Sequence, residues 1–168
     1  YPRILWSDKR TPGDLGADEN FIAVDLADYA EVEKIAAGID GIVHLGGYSI
    51  EGPWDTILQS NIVGCYNLFE AARQQQLRLI TGLCLMDRHA PQGVLNDTEQ
   101  SLLDTEALIH TWHGVDRLGY AITPRFAPSC SDAQLRGAGE LATRYPQVWI
   151  QSHVSENKDE IRWARELF

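Results

Sequence analysis

Short apolar runs alternate with longer stretches of helical periodicity along nearly the whole chain. Residues 3–8 (RILWSD), 21–25 (FIAVD), 41–47 (GIVHLGG), 79–86 (LITGLCLM), 120–126 (YAITPRF) and 148–153 (VWIQSH) are brief and rich in branched or aromatic side chains. Apolar runs without polar alternation suit strands covered on both faces, and therefore a parallel sheet. Helical spacing fills the gaps. Asp28 can cap residues 29–39, and residues 54–76 place Ile57, Ile62, Leu68 and Ala72 along one side. Asp97 precedes a helix over 98–113, Ser131 one over 132–145 that Pro146 stops, and Asn157 one from 158 onward. Residues 9–20 alone lack the pattern. Strand and helix in alternation give an α/β fold, a parallel sheet with helices on its faces. The pattern leaves open whether that sheet is flat or part of a barrel.

Composition narrows the function. A length of 168 residues suits one domain, and 44% apolar with 23% charged residues is ordinary globular composition. A formal charge of −10 with scattered basic residues argues against nucleic acid as a partner. No run reaches the roughly 18–20 apolar residues of a membrane span, so no membrane is expected. Cys65, Cys84 and Cys130 are odd in number and widely spaced, which fits independent thiols in a reducing cytoplasm.

Candidate chemistry gathers at strand ends. Asp8 and Asp25 close the first two strands, where a carboxylate either accepts hydrogen bonds from a ribose or simply starts a turn. Gly46 and Gly47 after Leu45 would let backbone approach a ligand, and glycines there also serve turns. His153, three residues before Glu156, suits a metal ligand beside an acid/base, although a lone histidine is more often structural. Arg125 is a charge on an apolar strand, either buried against a ligand or reaching solvent. His110 and His113 share a helix face at i, i+3, more as a solvated pair than a metal clip. His44 lies within a strand run and His89 in a loop.

Two segments carry more specific wording. DLADYAEVEKIAAGIDGIVHLGG (25–47) followed by NIVGCYNLFEAAR (61–73) resembles the extended short-chain dehydrogenase/reductases, in their NAD-dependent uronate dehydrogenase branch, over residues 3–76. The resemblance implies a Rossmann fold with Asp8 at the adenosine ribose and Asp25 and Leu26 at the adenine. It places Leu45, Gly46 and Gly47 along the middle of NAD, Asn61 at the family's helix asparagine, and Ser49 near the substrate side. The family's first strand and glycine-rich phosphate loop would precede Arg3, and its Ser and Tyr-x-x-x-Lys would follow residue 77. Neither is present, and Tyr66 is followed at the lysine spacing by Glu70.

LRLITGLCLMDRHAP (77–91), YAITPRFAPSCS (120–131) and WIQSHVSENKDEI (149–161) resemble guanine deaminase of the amidohydrolase superfamily over residues 77–168. These would be the third, fourth and fifth strands of a (β/α)₈ TIM barrel. The resemblance makes Arg125 and Phe126 purine contacts, His153 one zinc ligand and Glu156 the proton shuttle. The family's other zinc ligands have no counterpart here, and a catalytic zinc needs at least three protein ligands.

The chain thus reads as a chimera or fusion fragment, 1–76 dehydrogenase-derived and 77–168 deaminase-derived, forming one α/β domain over 1–168. Such a join arises from recombination of two βα scaffolds or from a misassembled frame. With the dehydrogenase's first strand missing, closure of the gap gives about six strands in the order 2-1-3-4-5-6, a flavodoxin-like sheet. A partial (β/α) barrel is the alternative, and a homo-oligomer completing the sheet is a further expectation. Both remnants should lie at the carboxyl edge as separated half-sites. The expected function is a scaffold without a complete active site and without native catalysis, binding neither NAD nor zinc tightly. Weak nucleotide binding and a residual zinc hydrolase stand as alternatives.

Overall fold

The computed structural model describes residues 13, 15–44, 47–48 and 52–168, together with the backbone of 4–8. The expected site residues Leu45, Gly46 and Ser49, and the side chain of Asp8, lie outside the described residues. The chain divides into two compact units, Tyr1–Leu79 and Ile80–Phe168.

In the first unit, β1 (Ile4–Asp8) and β2 (Glu19–Ala23) pair in parallel over five residues each. Helix α1 (Tyr29–Ala36) starts where Asp28 accepts the amides of Ala30 and Glu31. The long helix expected over 54–76 is continuous but not uniform. It runs as α2 (Trp54–Ile57), a π segment (Leu58–Val63) and α3 (Gly64–Gln74). α3 packs its Leu68, Ala71 and Ala72 against Val24, Val32, Ala36 and Leu77 to make this unit's core. Gly64 permits that approach, because a Cβ there would sit 2.9 Å from Cβ of Leu26.

In the second unit, the run expected as one strand over 79–86 is split into β3 (Leu79–Thr81) and β4 (Cys84–Leu85). Both pair with β5 (Leu118–Pro124), so they are two pieces of one interrupted strand. The cause is local. A Cβ at Gly82 would lie 1.8 Å from the carbonyl oxygen of Ala121, and the amide of Leu83 donates to the Tyr120 hydroxyl at 3.0 Å. β6 (Trp149–Ile150) pairs in parallel with β5 on its own register, and β4 does likewise. Helices α4 (Thr98–Trp112) and α5 (Asp132–Arg144) flank β5, and α6 (Lys158–Leu167) follows β6. Leu85, Ile109, Tyr120, Ile122, Ala138 and Leu141 form the second core.

The mixed α/β class with parallel pairing and helices therefore holds, but the described residues do not show six strands in one row. The described residues make a two-stranded sheet in one unit and a separate sheet in the other. Of the third expected strand, 41–47, the described residues show one parallel bridge, between Gly41 and Arg78. Val43 in that run is 85% exposed, whereas Ile42 packs against this unit's core. β6 is also shorter than expected, although the Gln151 and His153 amides still reach the carbonyls of Ile122 and Arg125. Consecutive pairing of 79–85, β5 and β6 is common to an open sheet and to a piece of barrel.

Candidate functional site

The strand ends of the second unit carry most of its polar chemistry. Where β4 ends, Asp87 accepts the amide of Ser131 at 2.6 Å and its hydroxyl at 2.5 Å. It also accepts the Thr98 hydroxyl at 2.6 Å. Ser131 caps α5 and Thr98 opens α4, so one carboxylate faces the positive ends of two helices. Burial alone would raise its pKa, but these hydrogen bonds outweigh it and hold Asp87 below the usual carboxylate value.

Past β5, Arg125 is exposed, its guanidinium 4.7 Å from the centre of the Phe126 ring. Phe126 in turn meets Trp163 of α6 edge-on at 6.2 Å, and His89 lies 5.1 Å from the same indole. The two expected purine contacts are thus engaged with each other and with α6. Past β6, His153 Nδ1 is 3.7 Å from Glu156 Oε1, with both side chains half-exposed or more. The loop between them holds Ser155 at φ +58°, a conformation costing roughly 1–3 kcal/mol for a non-glycine residue. Glu160 steadies it by accepting the amides of Ser155 and Glu156.

The other histidines serve the frame. His113 Nδ1 accepts the Tyr120 amide at 3.0 Å, whereas His110 Nε2 lies 2.8 Å from the Tyr145 hydroxyl. The two rings therefore have different partners. His89 Nδ1 meets the Pro128 carbonyl at 2.6 Å. Among the described residues, no three His, Cys, Asp or Glu side chains are placed to hold a metal ion.

In the first unit, Asp25 sits two residues past β2. Its Oδ1 accepts the Ala27 amide at 3.0 Å, and its own amide donates to Glu31 Oε2. The Leu26 carbonyl accepts from Asn67 Nδ2 at 2.9 Å. Asn61, in the π segment, clamps residue 48 from both sides, accepting its amide at 2.6 Å and donating to its carbonyl at 2.9 Å. A Cβ at Gly47 would meet Asn61 Oδ1 at 3.3 Å, so the glycine serves this clamp. His44 Nε2 lies 3.5 Å from Cys65 Sγ, and burial lowers the imidazole pKa and raises the thiol pKa. Both are neutral near pH 7. Cys65, Cys84 and Cys130 are free thiols.

Two positions escaped sequence reasoning. Asp87 had one available signal, an acidic residue just beyond an apolar run and ahead of two helix starts. Asn67, which fixes the Leu26 carbonyl from 41 residues away, had none.

Comparison with known proteins assigns these halves. Residues 48–168 match the amidohydrolase family. The chain belongs to that family. Residues 2–84 also match the NAD dependent epimerase/dehydratase family, and the two matches overlap across 48–84. This amidohydrolase-family chain is 46% identical over 101 residues to guanine deaminase of Escherichia coli, which covers 60% of it and 23% of the relative. It is 60% identical over 52 residues to uronate dehydrogenase of Agrobacterium fabrum, covering 31% of the chain and 20% of the relative. A solved uronate dehydrogenase of Agrobacterium tumefaciens, in complex with NAD, superposes with a TM-score of 0.56 at 27% identity. That superposition covers 93% of the chain and 69% of the dehydrogenase. Deaminase-like and dehydrogenase-like segments are thus both present, as in a fusion, and the chain spans about a quarter of the curated relatives it matches. Among the described residues no helix is long and apolar enough to cross a membrane.

Proposed function

We propose that this chain is a chimeric α/β scaffold that joins a dehydrogenase-derived part, 1–76, to a deaminase-derived part, 77–168, and has no complete active site. The observation that carries the reading is the state of His153. It is one imidazole beside one carboxylate, half exposed, and no further donors gather with it among the described residues. One imidazole and one carboxylate do not fit a catalytic zinc, which needs three protein ligands around an open position. The dehydrogenase remnant is in the same condition. The backbone and carboxylate groups of Asp25 and Leu26 that would meet an adenine are used in turn and helix contacts.

Zinc content after dialysis against the metal, measured by mass spectrometry, tests this. Substoichiometric zinc, unchanged by His153→Ala, is expected. One equivalent lost in that variant would overturn the reading. A second reading, weak NAD or nucleotide binding, rests on Asp25 standing just past β2. Ligand-observed NMR with NAD and adenosine at millimolar concentration decides it. A third, a guanine deaminase-like zinc hydrolase remnant, rests on Arg125, Phe126, His153 and Glu156 following adjacent strands, and shares the zinc test.

A further inference from the structure

The first unit brings a nucleophile and a base together outside the remnants described above. Cys65 lies in the first turn of α3, and His44 stands 21 residues earlier, in the run that follows Gly41. Cys65 Sγ is 3.5 Å from His44 Nε2, within reach of a hydrogen bond to sulfur. The thiol donates and the Nε2 of a neutral imidazole accepts. The chain's other two thiols have no such base. Cys130 is buried and donates to the Leu85 carbonyl at 3.2 Å. Cys84 is exposed, and what lies near it is the Arg125 guanidinium, a charge and not a proton acceptor.

Burial pushes the Cys65 thiol above its ordinary pKa of 9.0 and the His44 imidazole below 6.5. Among the described residues no charged group contributes to either shift. At pH 7 about 1% or less of such a thiol is thiolate, so unassisted attack is slow. The neutral imidazole removes that limit, because it takes the proton as the sulfur attacks. We propose that Cys65 is a modification site for low-molecular-weight disulfides, with His44 as its general base. The Sγ–H bond breaks as its proton passes to Nε2, and Sγ forms a bond to one sulfur of the disulfide. The disulfide's own S–S bond breaks, and the departing thiolate takes the proton back from His44. Cys65 ends oxidised in a mixed disulfide, and the other half of the reagent leaves reduced, as a thiol. A disulfide suits the site better than an acyl group. Acyl transfer needs donors for an oxyanion, and the described residues give Cys65 no hydrogen-bond partner besides His44. Exchange builds charge on sulfur alone. Cys65 itself is half-buried, and Tyr66 beside it is 66% exposed, so a small reagent reaches this side of α3.

The test labels the whole chain with 4,4′-dithiodipyridine and follows each cysteine by peptide mass spectrometry from pH 7 to 8.5. Cys84 is the internal standard. Its rate should rise roughly thirtyfold across that window, as thiolate accumulates below a thiol pKa raised from 9.0. Cys65 should react at a nearly constant rate, because His44 is already neutral and the thiol not yet ionised. His44→Gln should slow Cys65 about tenfold or more at pH 7 and give it the slope of Cys84. Cys84 and the circular dichroism spectrum should not change in that variant. A wild-type Cys65 that follows the slope of Cys84, or that stays unlabelled in the folded chain, would overturn the proposal without any variant. So would a folded His44→Gln in which Cys65 keeps its wild-type rate and slope.

Discussion

Replacing Asp87 with Ala removes the acceptor that gathers two helix starts at the end of β4. Three bonds of 2.5–2.6 Å are lost, from the Ser131 amide, the Ser131 hydroxyl and the Thr98 hydroxyl. A hydrogen bond to a charged group is worth about 1.5–3 kcal/mol net. Each helix end adds roughly 0.3–1 kcal/mol of attraction for a carboxylate. These contributions overlap, and water reaches the half-buried site once the side chain is gone. We therefore expect a net loss of about 2–4 kcal/mol from the second unit. Exchange of the buried β5 amides should accelerate roughly 30- to 1000-fold, at about 1.4 kcal/mol per factor of ten. The pH dependence has a definite sign. The folded pKa of Asp87 lies below its ordinary value of 3.8. Its contribution is therefore complete above that value and disappears as pH falls through the lower folded pKa. The gap between wild type and variant should be widest near neutrality and close in acid. A gap under about 0.5 kcal/mol at pH 7, or one that does not narrow in acid, would refute the reasoning.

Other substitutions follow from the same geometry. Gly82→Ala drives a Cβ to within 1.8 Å of the Ala121 carbonyl oxygen, a backbone atom with little room to move. A loss of about 3 kcal/mol or more in urea unfolding is expected. Gly139→Ala, inside α5 with nothing within 4 Å of the new methyl, should instead stabilise by about 0.5–1 kcal/mol in the same assay. Arg73→Gln should raise the pKa of Glu70 from about 2 toward 4.5, because hydrogen bonds from Arg73 and then Gln74 hold it down. Carboxylate-detected NMR titration reads that shift directly, and an unmoved Glu70 would show that Arg73 is not its cause.

Local features were legible in the sequence because their causes are local. Asp28, Asp97, Ser131 and Asn157 were each expected to cap a helix, and each accepts an amide at the start of one. A cap needs only its own few residues. The departures all depend on partners far along the chain. The break at Gly82 is set by Ala121 and Tyr120, on a strand 37 or more residues away. The π segment changes register between α2 and α3, where Asn61 clamps residue 48, and no periodicity in 54–76 announces it. Of the strand expected over 41–47 the described residues keep one bridge, because apolar composition states what a strand needs, not whether a neighbour pairs with it. Val43 is apolar and exposed. For the site, residue types were legible and their engagement was not. Arg125, Phe126 and His153 stand at strand ends, but only coordinates show Phe126 against Trp163 and His153 beside Glu156 alone.

The central claim is the absence of a complete active site, and turnover by the purified, zinc-supplemented chain tests it most directly. Deamination of guanine and NAD-dependent oxidation of glucuronate are measured side by side with the variants His153→Ala and Asp25→Ala. The account expects no rate above buffer in either reaction, with wild type and variants indistinguishable. Deamination abolished by His153→Ala, or NAD reduction abolished by Asp25→Ala, would contradict it.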